Sequence, residues 1–139
     1  MSAPPPTLAW LDAPRAGRGI DFGPAGRVGY DRLARDATDV AAGLTGDGVG
    51  PGQAVAVVAS TGPDFVAAAY GVLLAGAALV PLPPPLRMQD RDAYARHTAA
   101  LLAAAAPTAV LVPDQLTGMA TVWHRDGVDP RTVGAVRAA

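Results

Sequence analysis

The chain has no cysteine, no lysine and no glutamate. Without cysteine it forms no disulfide, no thiolate zinc site and no cysteine nucleophile. All eleven basic residues are arginine and all twelve acidic residues are aspartate. Any mechanism that needs a lysine amine or a glutamate from this chain is therefore excluded. Aromatic residues are scarce, with two Phe, three Tyr and two Trp among 139 residues, and alanine supplies much of the apolar content. A core of this kind buries little area per residue, so modest stability is expected. Net charge is −1, so no basic field draws the chain to nucleic acid or anionic lipid. Met1-Ser-Ala-Pro-Pro-Pro6 has neither the basic flank nor the apolar core of a signal peptide. Phe65 to Leu86 is uncharged and long enough to cross a bilayer. However, Gly71, Gly76, Pro81 and Pro83 interrupt it, and alanine is barely hydrophobic. A buried helix followed by a buried strand explains the run better than a membrane span, and a cytoplasmic location is expected.

What is present is a repeated strand–helix pattern between Ala54 and Val112. Ala54-Val-Ala-Val-Val-Ala59 is a short apolar run rich in branched residues. Ser60-Thr61-Gly62-Pro63-Asp64 follows, with a capping residue and a proline suited to a first helical turn. Phe65 to Ala75 reads as a helix, stopped by Gly76. Ala78–Leu82 reads as a second strand, Asp90 to Ala106 as a second helix, and Ala109–Val112 as a third strand. Strands joined by helices of this length run parallel. The fold class is α/β: a parallel sheet with strands near 54–59, 78–82 and 109–112, covered by helices on both faces. Ahead of it, Gly19–Phe22 and Arg27–Tyr30 flank Gly23-Pro24-Ala25-Gly26, a hairpin signal that can add an antiparallel edge.

The organisation expected is a proline-rich tail over 1–18, anchored by Leu8-Ala-Trp10-Leu11, an α/β subdomain over 19–114, and a weakly patterned segment over 115–139. In the helix after the hairpin, Asp31 can cap the start. Leu33, Ala37, Val40, Ala41 and Leu44 share one face. Arg32, Arg35, Asp36 and Asp39 take the other and offer two i,i+4 pairs. Gly46-Asp-Gly48-Val-Gly50-Pro-Gly52 leads from a helix into a strand and reads as a helix end and turn. It lies at the amino end of the sheet, breaks the dinucleotide spacing and lacks a P-loop lysine. Pro81 to Arg87 reads as a stiff connector and a poor ligand for proline-binding domains. Tyr94, Thr98, Leu101, Leu102 and Ala105 form the buried stripe of the next helix. A short last helix is expected over Pro130 to Val136.

Three readings compete at Ser60-Thr61-Gly62. The plain one is a helix N-cap with Pro63 at the first helical position. A nucleophile elbow would use Ser60 with His97 or His124 as base, but Val58 stands where the elbow motif needs glycine. An anion contact at the helix N-terminus would be opposed by Asp64. His97, and His124 with Asp126, lack a second metal ligand nearby and read as surface histidines.

Four segments in order resemble the start of the adenylate-forming enzymes: acyl-CoA ligases, peptide-synthetase adenylation domains and fatty acyl-AMP ligases. Gly29-Tyr30-Asp-Arg-Leu33 with the helix to Leu44 resembles the opening tyrosine and leucine helix. Gly48-Val-Gly-Pro51-Gly52-Gln-Ala-Val55-Ala56 is similar to the turn into the first core strand. Gly62-Pro63-Asp64-Phe65-Val66 through Leu73 is similar to the next helix. Leu74-Ala-Gly76 through Val80-Pro81-Leu82 resembles the glycine-then-proline motif after it. Pro83-Pro84-Pro85 and the segment to Leu111 lean toward the fatty acyl-AMP ligases. The resemblance covers about residues 19 to 114.

The resemblance implies the N-terminal part of an acyl-activating ligase. Such enzymes join a carboxylic acid to ATP, giving acyl-AMP, and pass the acyl group to a thiol, usually on a carrier protein. ATP and Mg are expected for the complete enzyme and neither for this chain alone. The phosphate loop ending Pro-Lys, the aromatic and acidic nucleotide motifs and the C-terminal lysine have no counterpart here. No catalytic, cofactor-binding or metal residue is therefore carried over. The chain would be an excised piece or a subunit of a split enzyme, inactive alone. Its implied partners are the remainder of the ligase in cis or trans, an acyl carrier protein, or a second copy of itself through the alanine-rich helices at 65–75 and 99–106. The alternative is a non-catalytic module that docks a carrier protein or synthase partner.

Overall fold

The computed structural model describes residues 5–86, 90–125 and 127–139. In chain order these form α1 (Pro6–Ala9), β1 (Gly19–Asp21), β2 (Arg27–Gly29), α2 (Tyr30–Gly46), β3 (Ala54–Val58), α3 (Pro63–Leu74), β4 (Ala78–Leu82), α4 (Arg91–Ala105), β5 (Ala109–Val112), β6 (Arg131–Thr132) and α5 (Val133–Ala138). A 3₁₀ turn joins the hairpin at Gly23–Ala25, and a longer 3₁₀ run occupies Asp114–Trp123. The sheet order is β4-β3-β5-β6, all parallel, with Val57 opposite Pro81 and opposite Leu111. The three expected strands are thus present and paired as expected.

Side chains alternate across the sheet because successive Cβ atoms point to opposite faces. Val55, Val57 and Leu111 face α2, α3 and α5, where Val40, Leu44, Ala68, Val72, Val133 and Val136 complete one core. Ala56, Val58, Leu82, Val110 and Val112 face α4 and the 3₁₀ run, where Tyr94, Leu102 and Trp123 complete a second. A third cluster joins Leu8 and Leu11 to Ala34 and Ala37, with Trp10, Tyr70 and Leu73 packed on it. The N-terminal segment therefore covers part of α2 and α3.

Several local expectations are corrected. The hairpin pairs β1 with β2 antiparallel but forms its own two-stranded sheet and adds no edge to the parallel one. The Tyr30 N–H donates to Arg18 O at 2.8 Å, closing the hairpin as the chain turns straight into α2. Asp31 does not cap that helix. Gly29 occupies the N-cap, and Asp31 lies in the first turn, where its charge suits the helix dipole. Asp36 is buried rather than on the polar face, and Ala34 and Gly43 join the buried stripe, while Ala41 is only half-buried. On α4, Tyr94, Thr98 and Leu102 are buried and Leu101 and Ala105 half-buried. The Asp90 side chain caps α4, accepting from the Asp92 N–H at 2.9 Å. The glycine-rich turn is a helix end as expected, with Gly48 and Gly52 at positive φ (87° and 84°) that β-carbons disfavour. The expected last helix over 130–136 is instead β6 followed by α5. Thr132 Oγ1 accepts from the Ala135 N–H at 3.1 Å and caps α5. Arg87 of the proline connector lies outside the described residues.

Candidate functional site

In open parallel sheets ligands gather where the strands end. Here β3 delivers Ser60-Thr61-Gly62, β5 delivers Pro113-Asp114, and β6 runs directly into α5. The Asp114 side chain spans two of these exits: its Oδ1 accepts the Gly134 N–H at 2.9 Å. A β-carbon on Gly134 would sit 2.5 Å from Asp114 Oδ2, so a larger residue there would displace the Asp114 carboxylate. Asp64, in the first turn of α3, has its pKa raised, first by burial and then by the negative charge of Asp114. The Asp114 backbone N–H and the Arg137 charge pull it the other way. Arg137 Nη2 in turn meets Asp36 Oδ1 at 3.1 Å, and Arg32 Nε meets Asp36 Oδ2 at 3.7 Å. This double pairing is the reason a carboxylate tolerates burial in α2.

The charge at this end of the sheet is mainly carboxylate, which is unsuited to a phosphate. Pro63 removes one helix N-terminal N–H, and Asp64 opposes an anion at the others. Among the described residues no group of three or more acidic or histidine side chains is placed to hold a metal ion.

The competing readings of Ser60 separate in the structure. Gly62, not Ser60 or Thr61, takes the N-cap position, without a side-chain bond, and Pro63 follows at the start of the helix. His97 is exposed on α4. His124 is half exposed and pairs through Nδ1 with Asp129 Oδ1 at 3.1 Å. Asp126 lies outside the described residues. No serine–histidine–aspartate relay forms among the described residues, so the hydrolase reading has no geometric support.

The polar contact most buried at this end went unread in the sequence. The Trp123 Nε1–H donates to Tyr94 Oη at 3.1 Å, and the Tyr94 hydroxyl donates to Pro83 O at 2.6 Å. The rings meet edge to face, centroids 6.4 Å apart. This chain fixes the connector leaving β4 to α4 and to the 3₁₀ run. In the sequence Tyr94 stands out only as part of a helical stripe, and Trp123 as an aromatic in an otherwise unpatterned segment.

Comparison with known proteins matches residues 13–136 to the family described as AMP-binding enzyme. Pyochelin synthetase PchE of Pseudomonas aeruginosa is 50% identical over 64 residues, 44% of this chain and 4% of the synthetase. A dimodular nonribosomal peptide synthase of Bacillus subtilis is 33% identical over 90 residues, 65% of this chain and 4% of the synthase. In structure, a fatty acyl-adenylate ligase, from work on the enzymes of E. coli and L. pneumophila, superposes with a TM-score of 0.79 at 24% identity. The match covers 94% of this chain and 24% of the ligase. The chain thus spans a small share of each relative.

Proposed function

The chain belongs to the AMP-binding enzyme family, and on that premise we propose that it is the N-terminal portion of an acyl-activating ligase of the fatty acyl-AMP type. The complete enzyme would join a carboxylic acid to ATP and hand the acyl group to a carrier-protein thiol. The portion in hand is scaffold. Its subdomain, centred on residues 19–114, builds one edge of the large lobe and leaves the chemistry to the remainder, supplied in cis or trans. One observation carries this reading above others: the fold superposes over nearly its whole length on about a quarter of a fatty acyl-adenylate ligase. The carboxylates of Asp64 and Asp114 at the strand ends, which oppose a phosphate, support the division of labour.

The test is fatty-acid-dependent ATP–pyrophosphate exchange, measured on this chain alone and on the chain continued into its downstream coding sequence. The chain alone is expected to give no exchange, and the continued chain to give it. Exchange by the chain alone overturns the scaffold reading. A continued chain that folds but activates no carboxylic acid overturns the ligase reading.

A further inference from the structure

A cleft of about 450 Å³ opens where the N-terminal segment, the hairpin and α3 meet. Its walls are the rings of Trp10, Tyr30 and Tyr70 with Ile20 and Val66, and Arg15 stands at its side. Trp10 meets Tyr70 edge to face at 5.1 Å and Tyr30 at 5.5 Å, tilted by 58°. Trp10 thus braces both tyrosines, and Trp10 and Tyr70 rest on the cluster of Leu8, Leu11, Ala34 and Ala37. They are nevertheless only half-buried, so ring surface faces solvent across the cleft. A concave apolar wall held rigid in advance, with a single polar group beside it, is the usual form of a small-molecule site.

An aromatic wall by itself suits either an apolar body or a cation. Arg15 decides between them. It is exposed and has no acidic partner among the described residues. Its guanidinium repels a second cation and offers paired donors to a carboxylate. We propose that this cleft binds a small amphipathic carboxylate, its aromatic or aliphatic body against Trp10, Tyr30 and Tyr70 and its carboxylate on Arg15. The site is separate from the strand ends described above, and the proposal stands or falls independently of the ligase reading.

Titration of the full chain with 3-phenylpropionate, 3-phenylpropanol and 3-phenylpropylamine, followed by the two indole N–H resonances, tests it. The Trp123 N–H, buried and bonded to Tyr94, is the internal reference. The carboxylate is expected to shift Trp10 saturably in the millimolar range. The alcohol should bind about tenfold more weakly, the worth of one charge-assisted contact at an exposed site, and the amine should not bind. Arg15→Gln should bring the carboxylate down to the level of the alcohol. Ala13→Leu, at an exposed position lining the cleft, should abolish binding of both. No saturable shift, equal affinity for all three compounds, or unchanged carboxylate binding in Arg15→Gln would each overturn the proposal.

Discussion

On one face of the sheet the helices meet through their backbones, and on the other through large side chains. Where α3 crosses α2, a β-carbon on Gly71 would sit 2.5 Å from Val40 Cγ1 and 2.9 Å from Ala37 O. Where α5 crosses α2, a β-carbon on Gly43 would collide with Val136 O. Among the described residues no glycine on the opposite face makes such an approach. Trp123, fully buried, fills the space between the 3₁₀ run and α4, and its N–H continues through Tyr94 to Pro83. Glycine thus lets helices carrying valine and leucine close up on one side, and the rings of Trp123 and Tyr94 fill volume on the other. The first should fail when an atom is added, the second when atoms are removed.

The largest expected effect tests the second half of that contrast. Trp123→Ala should cost about 4 kcal/mol of unfolding free energy in urea, since a buried ring is lost and a cavity remains. A loss under about 1 kcal/mol would mean that the 3₁₀ run is dispensable to the fold. Gly71→Val tests the first half. It should cost about 3 kcal/mol, because the obstacles are a buried β-branched side chain and a helix carbonyl, neither of which can swing away. Full retention of stability in Gly71→Val would show that α2 and α3 do not pack as described.

Tyr94→Phe keeps the ring and removes the hydroxyl, isolating the polar chain from the volume it accompanies. Trp123 Nε1–H and Pro83 O would both lose their partner, for a cost of about 2 kcal/mol. Thermal melts would read it, and a melting temperature equal to that of the parent would remove the hydrogen-bond chain from the account.

The smallest effect is one of sign. Burial and the charge of Asp114 raise the Asp64 pKa above its ordinary 3.8. A carboxyl group with a raised native pKa holds its proton more tightly when folded, so its ionisation opposes folding. The penalty is full above the raised pKa, shrinks as pH falls through it, and is gone below about 3.8. Asp64→Asn should therefore be more stable than the parent at neutral pH, with the difference closing in acid. Paired denaturation curves across that range check it, and an Asn variant less stable at pH 7 would contradict it.

The sequence by itself determined the middle of the molecule. Hydrophobic period, capping residues and turn glycines act within a few residues of one another. The strands at 54–58, 78–82 and 109–112 and the helices between them therefore declare themselves locally. Family membership was legible for the same reason, through motifs whose order survives in a linear reading. The tertiary structure alone decided what depends on partners distant in the chain. Asp36 looks like a surface aspartate until Arg137 arrives from the last helix to share its burial. Residues 131–132 carry no strand pattern, because two residues are too few to show a period, and they become a strand only by pairing with Leu111 and Val112. Trp123 looks like an isolated aromatic until the sheet and α4 enclose it. The cleft beside Arg15 exists only because the N-terminal segment folds back on α2 and α3, bringing Trp10 against Tyr30 and Tyr70. Spacing along a chain reports which face of its own element a residue occupies. What that face meets is fixed only when the elements pack.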